Sequence, residues 1–242
     1  MPAAAHDVQV LRVIRRAMAM ALVLGSSAWA VEATLKNMVV PEFDAAGRMI
    51  RRFKAEAATG WLTEKAQLRN GVIEFFETSS GGDVQVATLC FKDAVYERAH
   101  QTLEGEGHVA LSSTKGDMAG EGFFYDIGHS RLLLKSAVTI DHNGVHVTGN
   151  SGEVILAQAP STKDALIKEA TLKGGIVVSG KLDPKLDIEK AESERAVYTG
   201  NDEIITLSSP ITIWRKGIKT PAESDSITLY VGKGSRPTEK TK

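Results

Sequence analysis

After about residue 38 the chain alternates apolar and polar positions with a period of two, and Gly, Asn and Asp interrupt the alternation at short intervals. Successive side chains of a strand point to opposite faces, so this period predicts half-buried β-strands separated by turns. The pattern places strands at Arg52–Thr59, Gly71–Glu77, Val84–Phe91, Glu106–Ser112, Met118–Tyr125 and Arg131–Asp141. Further strands are expected at Val145–Thr148, Val154–Ala157, Gly175–Ser179, Ala191–Tyr198, Ile204–Arg215 and Ser226–Val231. Helical patterns with caps are scarce. Many short strands at regular spacing predict an all-β sandwich, barrel or jelly roll.

The alternation is also copied. Tyr125 opens YDIGHSRLLLKSAVTI, and Tyr198 opens YTGNDEIITLSSPITI, an ungapped match at an offset of 73. A fainter copy runs from Tyr96 to Val109-Ala110-Leu111. Thirteen residues after each Tyr stands a β-branched residue: Val109, Val138 or Ile211. The offset carries Leu132, Leu134, Val138 and Ile140 onto Ile205, Leu207, Ile211 and Ile213, with Ser136 and Ser209 as the small members of the same face. A one-residue slip would invert a strand's faces, so the copies share their phase as well as their text. Antiparallel repeated hairpin units are therefore the expected building block.

His142-Asn143-Gly144-Val145 reads as a two-residue hairpin of type I′, because Asn-Gly tolerates positive φ. Its counterpart at the same offset is Arg215-Lys216-Gly217-Ile218. Residues Gln158–Lys173 lack a counterpart and read as a longer loop, as does the stretch around Asp183-Pro184. Nothing along the chain reads as a linker between two independent domains.

Composition narrows the function. The 242-residue chain has a formal net charge of −1, with 43% hydrophobic and 24% charged residues. That suits a globular domain and offers no basic excess for nucleic acid. A chain of this size buries roughly 70% of its unfolded surface, enough to dispense with covalent staples. Cys90 is the single cysteine, so no internal disulfide exists, and its apolar surroundings predict a small buried side chain.

At the N-terminus, Arg12, Arg15 and Arg16 precede an apolar run from Ala17 to Leu24, and Ala28-Trp29-Ala30 has small residues at the spacing a signal peptidase uses. The stretch from Ala17 to Ala30 falls short of the ~20 residues that span a bilayer. Residues 1–30 are expected to be an export signal, cleaved after Ala30 or kept as an anchor, and residues 233–242 a polar disordered tail.

Catalytic constellations are missing from the text. Gly-x-Ser-x-Gly, His-Glu-x-x-His and phosphate loops do not occur, and no cofactor motif is present. His142 and His146 have the spacing of a metal pair, but the hairpin sends them to opposite sides of the sheet. Glu104 and Glu106, each beside a glycine, read as an acid/base pair or as a solvated strand edge. Arg48, Arg51 and Arg52 read as the polar face of a first strand or as a contact for an anionic headgroup. The aliphatic wall of Val109, Leu111, Leu132, Leu134, Val138, Ile140, Ile205, Leu207, Ile211 and Ile213 suits a closed core and suits acyl chains equally, at about 0.8 kcal/mol per buried methylene.

The segment LEGEGHVALSSTKGDMAGEGFFYDIGHSRLLLKSAVTI resembles the OstA-type repeat of the lipopolysaccharide-transport periplasmic family that includes LptA and LptC. The preceding VVPEFDAAGRMIRRFKAEAATGWL resembles the opening of the LptC branch, where F-x-x-x-G leads into a basic-apolar strand. The resemblance covers most of residues 38–232. It implies an open antiparallel β-jelly roll that carries lipopolysaccharide through the periplasm, holds acyl chains inside, joins similar jelly rolls edge to edge and meets an inner-membrane export complex. It implies no enzyme activity and no cofactor. The short N-terminal apolar run and the LptA-like second repeat depart from the LptC pattern. Two alternatives stand beside this reading: a secreted structural β-repeat protein of the envelope with a closed core, and a secreted enzyme whose site one sequence does not reveal.

Overall fold

A computed structural model describes residues 33–79, 82–114, 116–157, 166–180, 182 and 188–232. The expected export signal and the tail lie outside the described residues. So do the region around Asp183-Pro184 and the first half of the loop expected at Gln158–Lys173.

The described chain is all-β. It forms one antiparallel sheet of 15 strands. The first seven strands form a simple meander: β1 (Thr34–Phe43), β2 (Met49–Thr59), β3 (Lys65–Ser79), β4 (Gly82–Glu97), β5 (Thr102–Ser113), β6 (Gly116–Asp126) and β7 (Arg131–His142). Two short strands, β8 (Val145–Gly149) and β9 (Ser151–Leu156), lie end to end between β7 and β10 (Ile167–Gly180), and each pairs with both. Next comes β11 (Lys190–Thr199). One half of it pairs with β12 (Ile204–Ser208) and the other with β13 (Thr212–Arg215). The far edge is split between β14 (Ile218–Pro221) on β13 and β15 (Ser226–Tyr230) on β12.

Two expectations are corrected here. Residues 167–173 belong to strand β10 rather than to a loop, because Ala170 and Leu172 point inward and are buried between β9 and β11. The strand expected at Ile204–Arg215 is interrupted at Ser209-Pro210, where proline has no N–H to offer a ladder.

The sheet curls onto itself. Four strand steps separate β2 from β6, roughly 19 Å along a flat sheet, yet Arg51 Nη1 on β2 donates to Tyr125 Oη on β6 at 3.2 Å. Three steps separate β7 from β11, and the rings of His142 and Tyr198 lie 5.5 Å apart. Asn143 Nδ2 in the β7–β8 turn donates to the carbonyl of Val231, just past β15, at 3.0 Å. One contiguous apolar cluster therefore fills the inside, from Met38 on β1 to Leu229 on β15.

Bending concentrates at register shifts inside the strands, as between Phe91 and Val95 of β4 and between Gly105 and His108 of β5. Glycine is needed at two of these bends for lack of space. A Cβ on Gly71 would sit 2.0 Å from the Phe91 ring, and one on Gly105 would sit 2.5 Å from the Phe123 ring. The two rings, 5.5 Å apart, fill the volume that the glycines leave.

The sequence repeat is a backbone repeat. Five residues after each repeated Tyr the chain turns through positive φ: Gln101 at 53°, Ser130 at 53° and Glu203 at 52°. The two hairpins also match, with Asn143 and Gly144 at 52° and 83° and Lys216 and Gly217 at 51° and 74°. Val109, Val138 and Ile211 are all buried. The small residues Ser136 and Ser209 are exposed and not part of the inner face. In the first copy the positive φ of Ala137 throws them outward as a bulge, and Pro210 interrupts the same place in the second.

Candidate functional site

The ten aliphatic residues of the expected wall all line the interior. Their exposure runs from 0% at Leu207 to 7% at Ile140. In the part built by β7 to β12 they pack against one another across the curl. Among the described residues, Ile140, Val145, Val147, Leu172, Ala196, Tyr198 and Ile205 enclose a space of about 10 Å³, the room of a single water. His142 and Tyr198 close that region. Burial, with Glu203 nearby, pushes the Tyr198 phenol up to about 12, so it stays neutral.

The end built by β1 to β5 differs. A cavity of about 260 Å³ opens there between Met38, Val40, Pro41 and Glu42 of β1, Phe53 of β2, Leu68 of β3, Tyr96 of β4 and Leu103 of β5. Trp61 and Gln101 from two turns, and Ile127 past β6, complete it. Leu68, Leu103 and Ile127 form a buried floor, while Pro41 and Gln101 stand exposed at the rim. Trp61 stacks on Tyr96 at 5.5 Å, and the Arg98 guanidinium lies over the Trp61 ring at 5.7 Å. The wall is thus mixed aromatic and aliphatic.

Glu42 also belongs to a polar pin beside this cavity. Its two carboxylate oxygens accept from Nε and Nη2 of Arg51 at 3.0 and 2.8 Å, a bidentate pair. Nη1 of Arg51 donates to Tyr125 Oη and, at 3.0 Å, to the carbonyl of Ile127. Arg51 is 5% exposed. Burial opposes its charge, but the oxygens of Tyr125 and Glu42 outweigh that and hold the guanidinium above its ordinary value. Burial pushes the Tyr125 phenol up as well.

The three arginines expected as a headgroup contact are not brought together. Arg51 points inward. Arg48 closes the β1–β2 turn on Asp44 at 2.6 Å, and this holds the Asp44 carboxyl below its usual range. Arg52 faces outward, 2.5 Å from Glu74 and over the Phe76 ring. Lys54 reaches the other oxygen of Glu74 at 2.5 Å. Burial works against the Glu74 charge, but the two cations prevail and lower its pKa.

The remaining candidates resolve simply. His142 is buried while His146 is exposed and bonded to Asp141 at 2.7 Å, so the hairpin separates the two rings. Glu104 and Glu106 both take Lys135, at 2.9 and 2.5 Å, on an exposed face. They border an outer groove of about 740 Å³ that also includes Arg69, Asp93 and Val95. Cys90 is exposed, contrary to the burial expected of it, because strand alternation turns its neighbours Leu89 and Phe91 inward. No protein-family model matches the chain, and no curated protein matches it.

Sequence reasoning missed the wall of the 260 Å³ cavity. Its signal was present in the alternation of Met38 and Val40 along β1 and in Tyr96 as the head of the faint third repeat. Which positions face empty space depends on distances across the curl, and no local pattern encodes those.

Proposed function

We propose that the protein is a periplasmic lipopolysaccharide-transport protein of the bridge type, an OstA-like open β-jelly roll that takes acyl chains into its apolar interior and joins neighbouring jelly rolls edge to edge. The observation that carries this reading is the curled sheet with an apolar interior that opens beside β1, which among the described residues forms an edge of the sheet. That edge is ten residues long and exposes Leu35, Val39 and Phe43. Main-chain N–H and C=O groups of an unpaired strand accept a further strand, which gives affinity without a side-chain code. The opposite edge, β14 and β15, supplies the complementary end. The resemblance of residues 103–140 to the family repeat supports the same reading.

A second reading is a secreted structural β-repeat protein of the envelope. The burial of the aliphatics of β7 to β12 around a space of about 10 Å³ favours it. In-cell photocrosslinking separates the two. A photoreactive residue at Phe53, in the cavity, is expected to yield a lipopolysaccharide adduct. One at Leu134 or Leu207, in the packed region, reports whether that region opens in use. Adducts with protein alone at all three positions, in folded protein, would sink the transport reading.

A further inference from the structure

Among the described residues that line the 260 Å³ cavity, Glu42 is the charged one, and it is paired with a buried cation. Glu42 lines the cavity and holds the guanidinium fork of Arg51, while its own side chain is 37% exposed. We propose that the cavity is a single-chain site for an anionic amphiphile, whose acid group replaces the Glu42 carboxylate on Arg51. The proposal deepens the transport reading and rests on it for the class of ligand. It assigns the site to the β1–β5 end alone.

Three observations support it. A cavity of about 260 Å³ lies just below the roughly 300–1,000 Å³ of pockets that hold drug-sized ligands, so it suits one medium acyl chain and not a bundle of chains. Its floor of Leu68, Leu103 and Ile127 is apolar and its rim is exposed, which orients an amphiphile tail-first. Arg51 is held from behind by Tyr125 and the Ile127 carbonyl, so it stays in place when Glu42 leaves. The Nε and Nη2 edge that Glu42 occupies is then a ready bidentate seat for a carboxylate or a phosphate. Glu42, on the edge strand, turns out into solvent at little cost. The exchange swaps one anion for another on the same cation, so no buried charge is left unpaired.

Titration calorimetry on the full chain tests this with decanoate, its uncharged counterpart decanol, and decyl phosphate. Both anions are expected to bind roughly tenfold tighter than decanol, since charge-assisted bonds are about twice as strong as neutral ones. Glu42→Gln removes the competing charge and is expected to tighten decanoate and decyl phosphate roughly fivefold while leaving decanol unchanged. Val40→Trp fills the cavity from the edge strand and is expected to abolish binding of all three. A preference for phosphate over carboxylate identifies a phosphorylated headgroup as the source, and the reverse a free fatty acid. The proposal is overturned if decanol equals the anions, if Glu42→Gln leaves anion affinity unchanged, or if Val40→Trp binds normally. Failure here with lipopolysaccharide adducts still formed at Phe53 in cells removes the Arg51 seat only. Anion-selective binding without such adducts removes the transport reading and leaves the site standing.

Discussion

The two ends of the same apolar interior are built differently. Between β7 and β12 the repeated aliphatics are buried, and the space enclosed among Ile140, Val147, Leu172 and Ile205 is about 10 Å³. Between β1 and β5 a mixed wall of Met38, Val40, Phe53, Trp61 and Tyr96 leaves about 260 Å³. Hydrophobicity does not separate the regions, since both present continuous apolar faces. Neighbours do. Every inner strand from β7 to β11 has partners on both sides, whereas β1, among the described residues, pairs with β2 alone and carries exposed residues at its rim. An apolar face becomes a candidate site where the sheet runs out of strands to cover it.

The largest test of this contrast is truncation. Leu207→Ala, at a fully buried position, is expected to cost about 2–5 kcal/mol of unfolding free energy. Val40→Ala, beside space that already exists, is expected to cost under about 1 kcal/mol, because few contacts are lost. Denaturant midpoints in urea measure both, and equal losses would erase the distinction between the ends. Overfilling gives an effect of opposite sign at the two ends. Ala196→Leu pushes into the packed region and is expected to destabilise by about 1–3 kcal/mol, whereas Val40→Phe fills empty space and is expected to stabilise by about 0.5–2 kcal/mol. Thermal melts of the pair suffice, and destabilisation by Val40→Phe would mean that the β1 end is packed after all.

The smallest effect concerns charge on the outside of the β1–β5 end. Glu74 is held ionised by Lys54 and Arg52, with its pKa below the usual carboxylate value. A lowered folded pKa gives stability that is present above the unfolded value and lost as pH falls through the folded one. Glu74→Gln is therefore expected to be less stable than the parent at neutral pH by under about 1 kcal/mol, since both cations are about a third exposed. The difference is expected to vanish in acid. A gap independent of pH would assign Glu74 a packing role instead.

Much of this was legible from alternation. Most strand positions, though not β1 or β14, the inward phase of Leu132, Leu134, Val138 and Ile140 and their copies, and both two-residue hairpins follow from side-chain period and turn chemistry, which act between near neighbours. Cys90 was legible too, had the alternation of Leu89 and Phe91 outweighed the apolar composition around it. Arg51 was not. A buried arginine in a run of basic residues has meaning only once Tyr125 and Ile127, more than seventy residues later, fold over it. The cavity was hidden for the same reason, because its existence depends on how far the sheet curls.

The order of the sheet also bears on how the molecule is made. From β1 to β8 each strand pairs with the one made just before it. Loops between such partners are short, so each closure costs little entropy and each new strand finds its edge already waiting. A chain delivered from its N-terminus can lay down this part of the sheet in the order of synthesis. The Arg51–Tyr125 contact then forms only after β6 arrives, and the β1–β5 end stays an open sheet until that moment.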